Sequence, residues 1–321
     1  MSLAGRESEA DVSVLVPARD EAENLPEFVA QCVAALRDVP YTCEVVVVND
    51  GSEDGTGAEL ERLQGEHAFL RVVTHRAPRG IADALRSAGE VATGRIFVFY
   101  PADLQFLPSE IPSLVEPIRR GEADIVTGAK QGVYDKAFVS GVYNRLCRWL
   151  FGIRVTDLNA VKAFRQEVME VVPARPDWHR FMVVIGAAEG FVVAERPVTL
   201  RPRRAGKSKF GIGRIPVGAL DLLSVWFQLR FGRKPLLFFG LSGSLLFLLG
   251  FLVGVVALVY RFVYGVGFRP LLDLVMVLVI SGIALFGFGF VGEMLAGARE
   301  ELRALGRAID RLAARREPPR R

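Results

Sequence analysis

The sequence predicts an α/β domain built on a mostly parallel sheet covered on both faces, followed by a two-helix membrane hairpin with amphipathic interfacial helices. Three observations carry this. Short β-branched runs alternate with helical stretches through residues 1–200. Two segments, 235–260 and 274–292, hold no charged residue over 26 and 19 residues. Basic residues gather on both outer flanks of those segments.

Val12 to Pro17 reads as the first strand, and Asn24 to Leu36 has helical spacing. Glu44 to Asn49 is a strand of four valines, and Gly57 to Gln64 is helical. Leu70 to Thr74 and Ile96 to Tyr100 are further strands, with Ile81 to Val91 a helix between them. Pro101 cannot donate to a sheet ladder, so the strand before it stops there and leaves Asp103 and Gln105 beyond its carboxyl end. Open α/β sheets bind ligands at such ends.

The first strand runs out into Pro17-Ala18-Arg19-Asp20-Glu21 and the second into Asn49-Asp50-Gly51-Ser52-Glu53-Asp54-Gly55-Thr56. The fourth runs into Pro101-Ala102-Asp103-Leu104-Gln105. Each alone is ordinary turn chemistry. Carboxylates at three ends along one sheet edge repel one another unless ribose hydroxyls, base N–H groups or a divalent cation compensate them. Together they point to a nucleotide and metal site.

The chain has 321 residues and is 51% hydrophobic. Each uncharged segment is long enough to cross about 30 Å of hydrocarbon as a helix. No amino-terminal signal peptide is expected, because residues 1–11 are polar and a strand follows. Residues 201–235 carry nine Lys/Arg and one acid, and residues 297–321 carry eight Arg and four acids. The chain as a whole is +4, which leaves residues 1–200 net acidic, and no nucleic acid partner is expected. The basic flanks place the sheet domain and both termini in the cytoplasm and set the stretch at 201–235 against anionic membrane lipids. Cys32, Cys43 and Cys147 have no metal-ligand spacing and read as reduced thiols, and His67, His75 and His179 form no cluster in sequence. Residues 140–153 and 215–231 place apolar and basic residues as interfacial helices do. The tail has Arg at 299, 303, 307, 311 and 315 beside Leu302, Leu305, Ile309 and Leu312. Such a helix lies on the membrane or packs against another subunit, so a homo-oligomer is among the expected assemblies.

Six stretches carry a resemblance: "VSVLVPARDEAENL", "EVVVVNDGSEDGT", "RGIADALRSAGEVATGRIFVFYPADLQFLPSEI", "DIVTGAK", "VTDLNAVKAFRQEV" and "RPRRAGKSKF". In order, they are similar to the motifs of family 2 glycosyltransferases, in the polyprenyl-phosphate branch that resembles dolichyl-phosphate mannose synthase. The two-helix carboxyl end resembles bacterial polyprenyl-phosphate glucosyltransferases. The resemblance implies a GT-A (Rossmann-like) domain and inverting transfer of a hexose or related sugar to a membrane polyprenyl phosphate. The implied donor is a nucleotide diphosphate sugar, a UDP-sugar ahead of GDP-mannose, and the implied location is the cytoplasmic membrane. The expected divisions are a cytoplasmic glycosyltransferase domain at 1–212, a juxtamembrane amphipathic segment at 213–233, and two transmembrane helices within 234–292, at about 235–260 and 271–292. A basic amphipathic helix at 293–321 follows.

Carried onto this sequence, the resemblance implies that Pro17, Glu21 and Asp50 hold base and ribose, with Ser52 and Arg79 nearby. Asp103 and Gln105 match the end that binds Mg²⁺ or Mn²⁺, with Asp103 catalytic. Lys130, Lys136, Ser140, Arg203, Arg204 and Lys209 fall around the donor and acceptor phosphates, with Arg203 also catalytic. Asp157 orients the acceptor or the sugar, or else forms a structural salt bridge. Three positions depart from the family: Pro101 replaces a usual Asp, Arg19 a common aromatic and Asn49 a common second Asp. One carboxylate fewer implies weaker metal binding. Relatives that glycosylate hydroxyl groups place an acidic base where this chain has Trp178-His179-Arg180, and a phosphate acceptor needs none, because it is already ionised. Two other functions are weaker readings. "RLCRW" at 145–149 echoes processive polysaccharide synthases but precedes the acceptor segment, and Pro101 raises an inactive membrane scaffold.

Overall fold

The computed structural model describes residues 10–131, 137–153, 155–158, 160–173, 175, 178–202, 215–265, 267 and 269–316. The chain divides into two compact units, one ending at Gly218 and the other running from Ala219 to Arg321.

The first unit is built on seven strands: β1 (Val12–Ala18), β2 (Cys43–Asp50), β3 (Leu70–His75), β4 (Ile96–Phe99), β5 (Ile125–Gln131), β6 (Lys162–Arg165) and β7 (Val193–Thr199). They form one sheet in the order β3-β2-β1-β4-β6-β5-β7. Every pairing is parallel except those of β6, which runs antiparallel to both β4 and β5. Helices α1 (Leu25–Leu36), α2 (Thr56–Glu66), α3 (Ile81–Val91), α4 (Ile111–Arg119), α5 (Ala137–Phe151), α6 (Gln166–Val171) and α7 (Met182–Ala188) lie between the strands in sequence. The valines at 45–48 are fully buried on alternate faces, as a strand covered on both sides requires. In α1 the buried Leu25, Phe28, Val29 and Cys32 recur at the spacing of a single helical face, after a Pro in the first turn.

Chain order runs outward from β1 through β2 to β3 and then returns to place β4 on the other side of β1. That reversal opens a crevice at the carboxyl ends of β1 and β4. Pro17 sits beyond the last β1–β4 pairing, Leu15 with Phe99, so its missing N–H costs that ladder nothing. Among the thiols, Cys32 and Cys147 are buried and Cys43 is half-buried, and all three are free.

The helices α8 (Ile215–Phe231), α9 (Pro235–Val263) and α10 (Arg269–Arg316) complete the chain. Rings of Phe227 and Phe231 on α8 meet Phe238 and Phe239 on α9 at centroid distances of 4.8–5.6 Å, tying the end of one helix to the start of the next. Both α9 and α10 are long and apolar enough to cross a membrane. Their outward faces are open, with Leu241, Leu245 and Ile280 about two-thirds exposed. The two helices touch through backbone: a Cβ on Gly243 would lie 2.6 Å from the Gly282 carbonyl oxygen, and one on Gly282 would lie 2.7 Å from that of Gly243. Such small-residue contact is how helices pack where lipid removes the hydrophobic drive. Glu293 on α10 adds a cap, accepting the Leu236 N–H near the start of α9 at 3.2 Å.

The expected second span at 271–292 and the separate helix from 293 are one element, 48 residues long. Pro270 stands in its first turn and no other proline occurs before Pro318, so nothing interrupts the hydrogen-bond ladder across the change from apolar to basic sequence. At about 1.5 Å per residue the helix is roughly 72 Å long, more than twice the hydrocarbon core.

Gly243→Val should drive the two backbones apart and cost at least the ~1–3 kcal/mol of an overpacked core. Gly287→Val, on the same hairpin but with nothing within 4 Å of the added carbon, is the control. Thermal unfolding of the full chain in detergent should show a clear drop for the first and little change for the second. Equal melting temperatures would overturn the close-contact account.

Candidate active site at the carboxyl ends of the strands

The loops after β1 and β2 are laced together by their own polar groups. Asp20, with a positive φ of 54°, accepts the Glu53 N–H at 3.0 Å, and its own N–H goes to the Ser52 hydroxyl at 3.0 Å. Asp54 accepts from Thr56 N–H at 2.9 Å and Ala22 N–H at 3.3 Å, while the Glu21 N–H donates to the Thr56 hydroxyl at 2.9 Å. Asn49 accepts the Ser52 N–H at 3.1 Å, which closes the turn at Gly51. Gly51 has φ of +62°, and a Cβ there would meet Pro78 backbone at 2.6 Å, so this position takes no other residue without strain.

Asp50, the last residue of β2 and only 5% exposed, holds the far wall of the crevice. Its carboxylate accepts from the Arg79 and Gly80 N–H groups at 2.8 Å each and meets His75 Nδ1 at 2.8 Å. The other ring nitrogen of His75 lies 2.9 Å from the Ser87 hydroxyl on α3. Burial works to raise the Asp50 pKa, but the bonds from His75 and the two amides outweigh it and hold the carboxyl below its usual value. The Arg79 side chain is left exposed at the rim. These contacts correct one expectation: the carboxylates at the ends of β1 and β2 do not wait for a bound group to compensate them, because loop amides already do.

The loop after β4 is tight. Asp103, 8% exposed, accepts the Gln105 N–H at 3.2 Å, an Asx turn that places Leu104 at a φ of +56°. A left-handed leucine costs of order 1 kcal/mol or more and persists only where its surroundings over-determine it. Here Arg201, just past β7, donates its N–H to the Gln105 carbonyl at 2.8 Å, and the Gln105 amide returns a 3.4 Å contact to the Arg201 carbonyl. The basic stretch from 201 therefore begins against the Asp103 loop. Among the described residues no group of three or more His, Cys, Asp or Glu side chains could hold a metal ion. Asp103 and Gln105 offer hard oxygen ligands of the kind Mg²⁺ and Mn²⁺ take, and these residues fit a cation completed by water and substrate phosphates.

A second polar group sits where β4, β5 and β6 meet. Lys130 near the end of β5 pairs with Asp157 at 3.1 Å, both largely buried. Thr127 donates its hydroxyl to the Asp157 carbonyl at 3.2 Å, and Glu195 on β7 accepts the Thr156 N–H at 2.7 Å and the Asp157 N–H at 3.4 Å. Lys162, the first residue of β6, is 1% exposed and donates to the carbonyls of Leu158 and His179, each at 3.2 Å. His179 lies in the turn Trp178–Phe181 with its ring edge-on to Phe99 at 6.0 Å. Its Nδ1 is buried with no hydrogen-bond partner among the described residues. Burial, then the charges of Lys162 and Arg180, pull the His179 pKa down to about 3, so the ring is neutral at ordinary pH.

Of the residues singled out in the sequence, Pro17, Glu21, Asp50, Ser52, Arg79, Asp103 and Gln105 all stand at the carboxyl ends of β1 to β4. Lys130 and Asp157 are in mutual contact, the salt-bridge geometry. Lys136, Arg203, Arg204 and Lys209 lie outside the described residues, as does the side chain of Ser140. Sequence reasoning missed His75, Ser87, Glu195 and Lys162. A lone lysine in the apolar run Ala160 to Phe164 is the one signal that could have drawn attention.

A family model for glycosyl transferase family 2 matches residues 13–163. The dodecaprenyl-phosphate galacturonate synthase of Rhizobium johnstonii is 30% identical over 296 residues, covering 89% of this chain and 88% of its own. The undecaprenyl-phosphate 4-deoxy-4-formamido-L-arabinose transferase of Pseudomonas fluorescens is 29% identical over 318 residues, covering 96% and 91%. Among solved structures, glucosyl-3-phosphoglycerate synthase from Mycobacterium tuberculosis, crystallised with Mg²⁺ and uridine diphosphate, superposes with a TM-score of 0.55 at 20% identity. It covers 70% of this chain and 80% of its own and shares the GT-A-like arrangement of sheet and helices. With a relative 30% identical along nearly the whole of both sequences, the chain belongs to glycosyltransferase family 2.

Proposed function

We propose that the protein transfers a sugar, with inversion, from a nucleotide diphosphate sugar to a membrane polyprenyl phosphate. One observation carries the reading: the turn where a hydroxyl acceptor would need a basic carboxylate presents His179, held neutral, among Lys130, Lys162 and Arg180. A phosphate monoester has its second pKa near 6 and needs no base, only positioning and charge neutralisation. The relatives named for dodecaprenyl and undecaprenyl phosphate, and two helices able to cross a membrane, support a lipid acceptor.

In this scheme Pro17, Glu21 and Ser52 line the base and ribose, Arg79 reaches over them, and Asp50 fixes the Arg79–Gly80 turn. Asp103 and Gln105 would hold a divalent ion, which when bound supplies positive charge at the diphosphate leaving group. Lys130, with Lys136, Ser140, Arg204 and Lys209, receives the acceptor phosphate. Arg203 steadies charge on the departing diphosphate. The phosphate oxygen attacks the anomeric carbon from the face opposite the leaving group, so the configuration inverts. Asp157 keeps Lys130 in place between turnovers. The donor is a UDP-sugar, the membrane is the cytoplasmic one, and the sheet domain and both chain ends face the cytoplasm.

Nucleotide sugars screened against the full chain in membranes with added polyprenyl phosphate should reveal one donor that is transferred; none transferred would favour the inactive scaffold. Asp103→Asn should lower that rate at least about a hundredfold with the fold unchanged. Full activity of the parent in a chelator would refute the metal assignment. Lys130→Ala should slow transfer roughly ten- to a hundredfold by removing a charge-assisted contact, and parental rates would remove Lys130 from the acceptor site. For topology, a cysteine at Gly265, in a chain whose half-buried Cys43 is replaced by Ser, should react only from the non-cytoplasmic side. Labelling from the cytoplasm alone would reverse the orientation.

A further inference from the structure

The long helix α10 packs on α9 along one face and carries a second apolar stripe along another. On the first face, carbons added at Gly282 and Gly289 would strike α9, and one at Gly292 would lie 2.7 Å from Pro235, the first residue of α9. Beyond Gly292, α10 runs on for 24 residues past the start of its hairpin partner, and carbons added at Gly297 and Gly306 would meet nothing within 4 Å. The second stripe is Leu295, Ala298, Leu302, Leu305, Ile309 and Leu312. Their spacings of three, four, three, four and three are those of the a and d positions of a heptad repeat. Leu295, Leu302 and Leu305 are 58–68% exposed. The same register reaches back into the span at Phe288 and Val291, which are exposed as well. From Arg269 to Glu293 the helix already rises about 36 Å, enough to cross the hydrocarbon core. It is unbroken to Arg316, so the segment after Glu293 leaves the bilayer along the axis of the span and does not lie flat on its surface.

We propose that residues 294–316 pair with the same segment of a second copy of this chain as a parallel two-stranded coiled coil. This rests on α10 crossing the membrane and not on the sugar transfer. Copies of one chain insert in one orientation, so helices that continue the same span run parallel, and a two-fold interface then sets the same patch of each against the other. The width of the stripe selects this occupant. A helix packed on a globular domain adds apolar residues at e or g, whereas here those positions hold Arg299, Glu301, Gly306 and Ala308, which leaves the narrow a and d seam of a coiled coil. Arg303, Arg307 and Arg311 fall at b, f and c, off the seam. In a parallel pair the g and e positions that flank it set Met294 by Arg299, Glu301 by Gly306 and Ala308 by Ala313, with no like charges opposed. Ile309 at a with Leu305 and Leu312 at d is the arrangement that favours two strands. Confinement to one membrane raises the effective concentration of the two segments, so a seam of about three heptads is enough.

The test is disulfide cross-linking of the full chain in membranes of the expressing cell, with Cys43 replaced by Ser and the buried Cys32 and Cys147 left in place. A disulfide forms only between closely apposed Cβ atoms. Ala298→Cys and Leu305→Cys, both at d, should each give a linked dimer under mild oxidation, and Glu300→Cys, at f on the far side of the helix, should give little. Both d positions link to themselves only where the helices run parallel and in register. Linking at one of them alone, at neither, or equally at Glu300→Cys would overturn the proposal. Leu302→Glu, added to Leu305→Cys, opposes two carboxylates in the seam and should lower the linked fraction severalfold, and an unchanged fraction would overturn the proposal as well. A chain recovered in the soluble fraction would remove the membrane reading together with the proposal, whereas a membrane-bound chain that does not link overturns the proposal alone.

Discussion

Charge gathered at one edge of a parallel sheet is the constraint from which the rest of the first unit follows. Six strands point the same way, so their carboxyl ends bring Asp20, Asp50, Asp54 and Asp103 toward one crevice. The chain meets this with its own amides. Two N–H groups and a histidine saturate much of Asp50, Glu53 caps Asp20, and Thr56 and Ala22 cap Asp54. At the opposite end of the strands the buried Glu44 is satisfied the same way, by Ser13, Thr93 and Arg71. The two ends differ in what stands beside them. Around Glu44 the bonds from Ser13, Thr93 and Arg71 are all donated to it, whereas beyond β5 the Asp157 carboxylate meets the ammonium of Lys130 at 3.1 Å.

Much of this was legible in one dimension. The strand of four valines, the helix at Ile81 to Val91 and the halt at Pro101 are local, since each depends on residue type and a period of two or 3.6. The structure moves those boundaries by no more than one or two residues. The loops at the strand ends were legible for the same reason, because turn residues mark them wherever the strands lie in space. The bridge from Asp50 was not. It depends on the register that sets Asp50 beside His75, and on a turn 29 residues away that brings two amides to the same carboxylate. Nor was Lys162, whose neighbours come from β4, β5 and a turn seventeen residues downstream. In sequence it is an oddity in an apolar run. The extent of α10 was hidden in another way: apolar and basic stretches look like two elements, and only the lack of a breaker between them says that they are one.

The reversed strand β6 has a consequence of its own. Six strands reach the crevice through their last residues and then dissolve into loops, but β6 reaches it through its first, with the ladder already formed at Lys162 opposite Phe99 and Thr127. Its side chain is carried by a backbone hydrogen-bonded on both sides, so its amplitude of motion is that of the sheet interior and not of a surface turn. A side chain mounted this way ties the segment before the strand and the turn at His179 to one ladder, through its bonds to the Leu158 and His179 carbonyls.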